Sequence, residues 1–271
     1  MYPLSITTYK PTEISHVVER MWIAETNRSD FNLLMLSTHF INVLFPLDAN
    51  GITIDGNTYH KPIIKGTVLK PFIMKIPAHS KVFAIRLYAY GLYPFRDAFN
   101  MVNGKAVASE TLENFFEEHK SIFFSQEAKD IESLITTTLQ DCYVPELEKK
   151  IALFKNYYLQ LLEEPCCTDL ISCFCRDNDV NYINLNRICN KVIGITPKKL
   201  ERLIKYRKAV DFMLKTDMNF TDIALNAGYF DQPHFVKEFK HFTNSTPSEF
   251  IKFLKEEQVY TTKEVTDFST F

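Results

Sequence analysis

The chain has 271 residues, 46% of them hydrophobic and 24% charged, with a formal net charge of -2. This balance excludes a disordered, collagenous or membrane-embedded chain, and the length suggests two domains. The opening stretch MYPLSITTYKPTEISHVVERMW has no basic segment followed by an apolar core, and no later run approaches a bilayer span. A cytoplasmic protein is therefore expected. The six cysteines, Cys142, Cys166, Cys167, Cys173, Cys175 and Cys189, sit in the C-terminal half of a chain too large for a disulfide scaffold and are read as reduced.

Between Glu13 and Trp22, the residues Ile14, Val17, Val18 and Met21 recur at helical spacing and predict a short amphipathic helix. The period then changes. From Phe31 to Tyr90 come short apolar runs, INVLFPL, ITI, PFIMKI and KVFAIRLYAY, separated by the turn signals Asn50-Gly51 and Asp55-Gly56-Asn57. They predict a small antiparallel β sandwich or barrel, with Gly91 to Phe95 closing it. Phe45, Phe72, Phe83 and Tyr88 can line a ligand cavity in such a barrel, but aromatics at strand spacing are more often core, and core is the preferred reading. His60 and His79 lie nineteen positions apart with no third ligand at metal spacing, so neither a metal nor a cofactor is expected.

The helical period returns at Ser109. SETLENFFEEHKSIFF buries Leu112, Phe115 and Phe116 in one helix; after Ser125 as cap, Ala128, Ile131, Leu134, Ile135 and Leu139 mark a second. A third helix starts at Pro145, where Leu147, Ile151, Phe154, Tyr158 and Leu161 make a seam of about two heptads. That seam serves either a second copy of the chain or the preceding helix of the same chain. Its shortness favours the intrachain use. Glu163, Glu164 and Pro165 end the connector. The expected division is a β-rich sensing domain over 1–105, a helical connector over 106–165, a DNA-binding domain over 166–258 and a tail over 259–271.

Two helix-turn-helix units follow. In the first, a supporting helix between Asp169 and Arg176 precedes a helix over Asn181 to Ile193, with Leu185, Ile188, Cys189 and Val192 on its buried face and Gly194 as its stop. A long helix from Pro197 to Thr216 leads to the second unit. There Asn219 caps a helix that buries Ile223, Ala224 and Ala227, Gly228 ends it, and Asp231 caps the next, with Pro233 in its first turn. Phe235, Phe239 and Phe242 form the buried stripe of that last helix, leaving Gln232, Pro233, Val236, Lys237 and Lys240 outward. Cys173 and Cys175, two apart on a helix without a nearby histidine, read as core thiols rather than metal ligands.

The residues Asp222, Ile223, Ala224, Gly228, Tyr229, Asp231, Gln232, His234, Phe235, Phe239, Lys240, Thr246, Pro247 and Phe250 resemble the C-terminal signature of AraC/XylS-type transcriptional regulators. Pro233 stands where that family usually has serine and Asn244 where it has glycine. Leu185 and Arg187 occupy the family's leucine and arginine positions, and Cys189 replaces its phenylalanine. The front half resembles the family's regulatory domain only weakly. The resemblance implies an α+β chain of two domains: an antiparallel β sandwich or barrel with a helical connector, then an all-α double helix-turn-helix.

Charge agrees with that reading. Between Asn181 and Lys215 lie Arg187, Lys191, Lys198, Lys199, Arg202, Lys205, Arg207, Lys208 and Lys215, opposed only by Glu201 and Asp211. Beside a groove-reading helix such a run is the footprint that duplex DNA requires. The expected base contacts are Tyr182, Ile183, Asn186 and Arg187 in the first unit and Gln232, His234, Val236 and Lys237 in the second. Lys191, Lys198, Lys199 and Lys240 are expected on phosphates.

The expected function is thus a bacterial sequence-specific DNA-binding transcription regulator without catalysis. Duplex DNA is its main partner. RNA polymerase, a small-molecule effector and a second copy of the chain are further partners open to it. The alternative is a protein-interaction module whose helix-turn-helix fold has lost DNA binding.

Overall fold

The computed structural model describes residues 4–95, 106–108, 110–125, 128–163, 169–256 and 260–261. The front part is the expected antiparallel sandwich. One sheet has the order β1 (Leu4–Tyr9), β2 (Val18–Thr26), β9 (Lys81–Leu87), β4 (Ile41–Pro46), β7 (Ile63–Lys65) and β10 (Ala106–Ala108). The second has the order β11 (Tyr260–Thr261), β3 (Phe31–Met35), β8 (Phe72–Ile76), β5 (Ile52–Ile54) and β6 (Asn57–Tyr59). Asp55 and Gly56, at φ 51° and 79°, make the two-residue turn between β5 and β6 that the Asp-Gly pair suggests. The tail returns to the front of the molecule, since β11 pairs in parallel with β3.

The first sheet is covered on both faces. Trp22, Ala24, Leu44, Val82 and Ala84 point into the core between the sheets. Met21, Ile23, Val43, Phe45, Phe83, Ile85 and Leu87 belong to the other core, which the helices share. This double burial explains a misreading. The helix expected over Glu13 to Trp22 is absent: the Val17 and Val18 amides turn back onto the Ile14 carbonyl at 3.0 and 2.8 Å, and β2 begins at Val18. A strand buried on both faces loses its polar alternation, so its apolar residues mimic a helical period.

Five helices form the third layer: α1 (Glu110–Glu118), α2 (Lys120–Ser125), α3 (Ala128–Cys142), α4 (Pro145–Lys149) and α5 (Ala152–Glu163). The single helix expected from Ser109 is broken at His119, whose ring Nδ1 lies 2.9 Å from the Phe115 carbonyl. The helix expected from Pro145 is likewise two pieces. Ile131, Ile135 and Leu139 are buried as expected, while the cap expected of Ser125 concerns a side chain outside the described residues. Phe123 stacks on Phe45 at 5.0 Å, and Phe116 lies 6.0 Å from the same ring. Phe45 and Phe83 thus face the helices, whereas Phe72 faces the other sheet, so the four aromatics named from sequence do not line one cavity. A cavity of about 40 Å³ remains between sheet and helices, lined by Val43, Phe45, Ile85, Leu112, Ile135 and Leu139 among others.

The heptad seam is spent inside the chain. Leu147, Ile151, Phe154, Tyr158 and Leu161 are all buried in the core shared with the sheet. Tyr157, on the neighbouring face, donates its hydroxyl to the Pro197 carbonyl at 3.2 Å and so joins α5 to the C-terminal helices. Tyr158 meets His39 of the β sandwich, Oη to Nδ1, at 2.7 Å. Burial, reinforced by the positive charges of Arg207 and Arg86, pushes the His39 imidazole down to about 3. It is therefore neutral at physiological pH. Among the described residues no helix is long and apolar enough to cross a membrane.

Candidate nucleic-acid interface

The C-terminal helices are α6 (Leu170–Asp177), α7 (Tyr182–Ile193), α8 (Pro197–Lys215), α9 (Phe220–Asn226), α10 (Gln232–Thr243) and α11 (Pro247–Glu256). Their ends follow from local chemistry. Asn181 accepts from the Asn184 amide at 2.9 Å, Asn219 from those of Thr221 and Asp222 at 3.0 Å, and Asp231 from that of His234 at 2.7 Å. Each satisfies an amide that the first helical turn would leave orphaned. Thr246 and Glu249 cap α11 reciprocally, with the Thr246 amide donating to Glu249 Oε2 at 2.7 Å. At the C-terminal ends Gly194 (φ 70°) and Asn244 (φ 64°) take the left-handed conformation, and asparagine bears it where most side chains would not.

In the first unit, Leu185, Cys189, Val192 and Ile193 turn α7 inward. This leaves Ile183 75% exposed, with Tyr182 and Arg187 also exposed and Asn186 half-buried. Asn190 donates to Asn186 Oδ1 at 3.0 Å, which holds the Asn186 amide in place. In the second unit, Phe235, Phe239 and Phe242 bury α10 against Tyr206, Tyr229 and Phe250. His234 and Lys237 are exposed, and Gln232 and Val236 are half-buried. Thr221 donates to Gln232 Oε1 at 2.8 Å and holds that side chain in place. Neither Thr221 nor Asn190 stood out from sequence, although Asn186 and Asn190 sit at the i, i+4 spacing that brings side chains together. Phe230, in the turn before α10, is 84% exposed and also escaped notice.

The spacer α8 carries both units. Its 19 residues span about 28 Å at 1.5 Å per residue. Arg202 forks Glu238 at 2.6 and 3.1 Å and so pins α8 to α10. The basic run is accordingly smaller at the surface than in the sequence. Lys198 and Lys205 hold the buried Glu201 at 3.0 and 2.9 Å, and Arg207 lies 3.5 Å from Asp211. Of the four expected phosphate contacts, Lys198 is thus already paired, and Lys191 lies over the Tyr93 ring of the front domain at 5.8 Å. Lys240 is exposed and Lys199 half-buried.

The family description "Helix-turn-helix domain" matches residues 174–252, which run from within α6 into α11 and contain both units. The chain carries a helix-turn-helix domain. Among solved structures, ToxT from Vibrio cholerae superposes with a TM-score of 0.50 at 11% identity, covering 93% of this chain and 98% of its own. At that identity the likeness concerns the fold, and it extends over the sandwich and the helix-turn-helix domain together. The C-terminal domain of AraT, a response regulator from Geobacillus stearothermophilus, is 22% identical over 37% of this chain and 84% of its own, with a TM-score of 0.36. The DNA-binding domain of AdpA, solved with a target DNA, is 12% identical over 39% of this chain and 96% of its own, also at 0.36. No curated protein matches the chain.

Cys173, Cys175 and Cys189 are free thiols, and Cys189 is fully buried. Cys166 and Cys167 lie outside the described residues. Among the described residues no three histidine, cysteine or acidic side chains gather as a metal site. His60 Nδ1 instead lies 3.1 Å from the Ala49 carbonyl.

Proposed function

We propose that this protein is a sequence-specific DNA-binding transcription regulator, with α7 and α10 entering successive major grooves and the front domain controlling them. One observation carries the reading: two independently capped helix-turn-helix units share a single rigid spacer, each with the first turn of its second helix open to solvent. Groove-reading helices one DNA turn apart need such a mount. Tyr182, Ile183, Asn186 and Arg187 read one half of the site, and Gln232, His234, Val236 and Lys237 the other. Ile183 suits a thymine methyl, Arg187 a guanine, and the oriented amides of Asn186 and Gln232 an adenine. Lys191, Lys198, Lys199 and Lys240 hold phosphates, with Lys198 and Lys191 leaving their intramolecular partners to do so.

The division into a sensing domain over 1–105, a connector over 106–165, a DNA-binding domain over 166–258 and a tail belongs to the same proposal. Two contacts favour control by the front half. Lys70 of the sandwich donates to the His241 carbonyl and, at 3.0 Å, to Asn244 Oδ1 at the C-terminal end of α10. Lys191 meets Tyr93 at the end of α7. Each recognition helix thus touches the front domain at its far end. The reading assigns no catalysis to the chain, places it in the cytoplasm and leaves RNA polymerase, an effector and a second copy as further partners.

Two substitutions separate positioning from reading. Lys240→Ala should weaken binding to all duplexes alike and reduce the slope of log affinity against log salt by about 1. Arg187→Ala should lose roughly 1 to 3 kcal/mol at one base position. Binding-site selection on each variant distinguishes these outcomes, and an unchanged motif for Arg187→Ala would remove that residue from the reading set. The alternative, a protein-interaction module, draws on Phe230 and Leu225, both exposed on the second unit, and on the intramolecular pairing of Lys198, Arg202, Lys205 and Arg207. Duplex affinity that falls steeply with salt would dismiss it.

A further inference from the structure

The two most exposed large apolar side chains among the described residues are Phe230, at 84%, and Ile183, at 75%. Ile183 is the second residue of α7, and Phe230 stands two positions before α10 begins at Gln232, so each marks the N-terminal end of one recognition helix. Helix-turn-helix proteins set that end against base edges, while the helix before it crosses the sugar-phosphate backbone. In that arrangement the turn between α9 and α10 lies at the rim where backbone gives way to groove.

The turn presents Phe230 on a fixed backbone. The Gly228 amide donates to the Leu225 carbonyl at 3.1 Å and the Tyr229 amide to the Ala224 carbonyl at 2.9 Å. Tyr229 turns inward and packs on Phe235, with 5.4 Å between ring centroids. On the other side Asp231 is held by capping the His234 amide at 2.7 Å. With the backbone anchored at both neighbours and the inward place taken by Tyr229, the Phe230 ring is left to solvent. A phenyl ring carries neither a donor nor an acceptor, so it has nothing to offer a phosphate or a polar base edge. What it can cover is a methyl group. The C5 methyl of thymine is the apolar mark that the major groove displays, and phenylalanine is among the side chains that meet it.

We propose that Phe230 is a further specificity-determining residue, whose ring covers the C5 methyl of a thymine in the half-site read by α10, as Ile183 does in the half-site read by α7. The assignment rests on the DNA-binding reading and deepens it, because it places a thymine in each half of the target. It also gives Phe230 a role distinct from those of Gln232, His234 and Lys237, which meet hydrogen-bonding edges.

The test replaces thymine by deoxyuridine, one position at a time, in a duplex obtained by binding-site selection with the full chain. Deoxyuridine keeps the hydrogen-bonding groups of thymine and lacks only the methyl. At one position the natural chain should lose about fourfold in affinity, the worth of one methyl group taken from water. Phe230→Ala should bind the unmodified duplex at least about fourfold more weakly and be indifferent to that same replacement. Ile183→Ala identifies the thymine of the other half-site by the same measurement, and Phe230→Ala should keep its response there. Comparing both chains on both duplexes cancels any effect of the replacement on the DNA itself. Because Phe230 is exposed, Phe230→Ala should unfold within about 2 °C of the natural chain. A selected site without thymine, or replacements that act equally on the natural chain and Phe230→Ala at every thymine, overturns the inference. So does a loss in Phe230→Ala that is equal on selected and unrelated duplexes, which puts the ring on deoxyribose, and so does an unchanged duplex affinity, which leaves the ring to a protein partner. In each of those cases the natural chain still binds its selected duplex and the DNA reading stands, whereas a natural chain that selects no duplex removes both.

Discussion

Phe239→Ala is expected to destabilise the C-terminal domain by about 3 to 5 kcal/mol, the usual cost of removing a fully buried phenylalanine. Phe239 is 0% exposed and touches Tyr206 of α8 at 5.5 Å, Phe235 at 5.8 Å and Phe250 of α11 at 5.4 Å between ring centroids. Its ring is therefore the common wall of spacer, recognition helix and last helix. Removing it empties a site that three helices cannot collapse into, because Arg202 and Glu238 still hold α8 against α10. Urea unfolding followed by circular dichroism measures the loss, and duplex binding should disappear at urea concentrations the natural chain tolerates. Phe239→Leu, which preserves most of the volume, should cost less than about 1.5 kcal/mol. A loss below about 1 kcal/mol for the alanine variant would show that the second unit is not built around this ring.

Acid should loosen the contact between the two halves in a window set by His39. In the folded chain this imidazole lies at about 3, against an ordinary value of 6.5, so the folded state binds its proton less readily than the unfolded one. The stability tied to neutral His39 is fully present above pH 6.5 and drains away as pH falls toward about 3. The slope is roughly 1.4 kcal/mol per pH unit, which amounts to several kcal/mol over the window. Protonation also fixes Nδ1 as a donor, so Tyr158 can then only accept from it. In His39→Asn, which keeps an acceptor near that position and cannot titrate, unfolding midpoints should fall less between pH 7 and pH 4.5. Equal pH slopes in the natural chain and the variant would assign acid lability to carboxylates elsewhere.

The C-terminal domain was legible almost residue by residue because its signals are local. Asn181, Asn219 and Asp231 each cap an amide two or three positions away, Gly194 and Asn244 stop helices by their own backbone conformation, and the phenylalanines of α10 declare their face through spacing alone. The sandwich was legible as a class, through turn pairs such as Asp55-Gly56, but Glu13 to Trp22 passed for a helix because the strand that begins at Val18 has both of its faces covered. Legibility of the interface stopped at partners. Arg202 meets Glu238 across 36 positions, and Lys198, although exposed, pairs with Glu201. A count of cations in the chain therefore overstates the charge offered to DNA.

The amino-acid order by itself determined two capped helix-turn-helix units on one stiff spacer, a front half of short strands, and outward candidates from Tyr182 to Arg187 and from Gln232 to Lys237. Those properties depend on neighbours within a turn or two, where propensity, capping and period act. Only the tertiary structure decided which face of each strand meets helices, that the heptad seam closes within the chain, that the tail returns to β3, and that Arg86 and Arg207 come together between the halves. Such meetings depend on how layers pack across long stretches of sequence, and no local pattern records them.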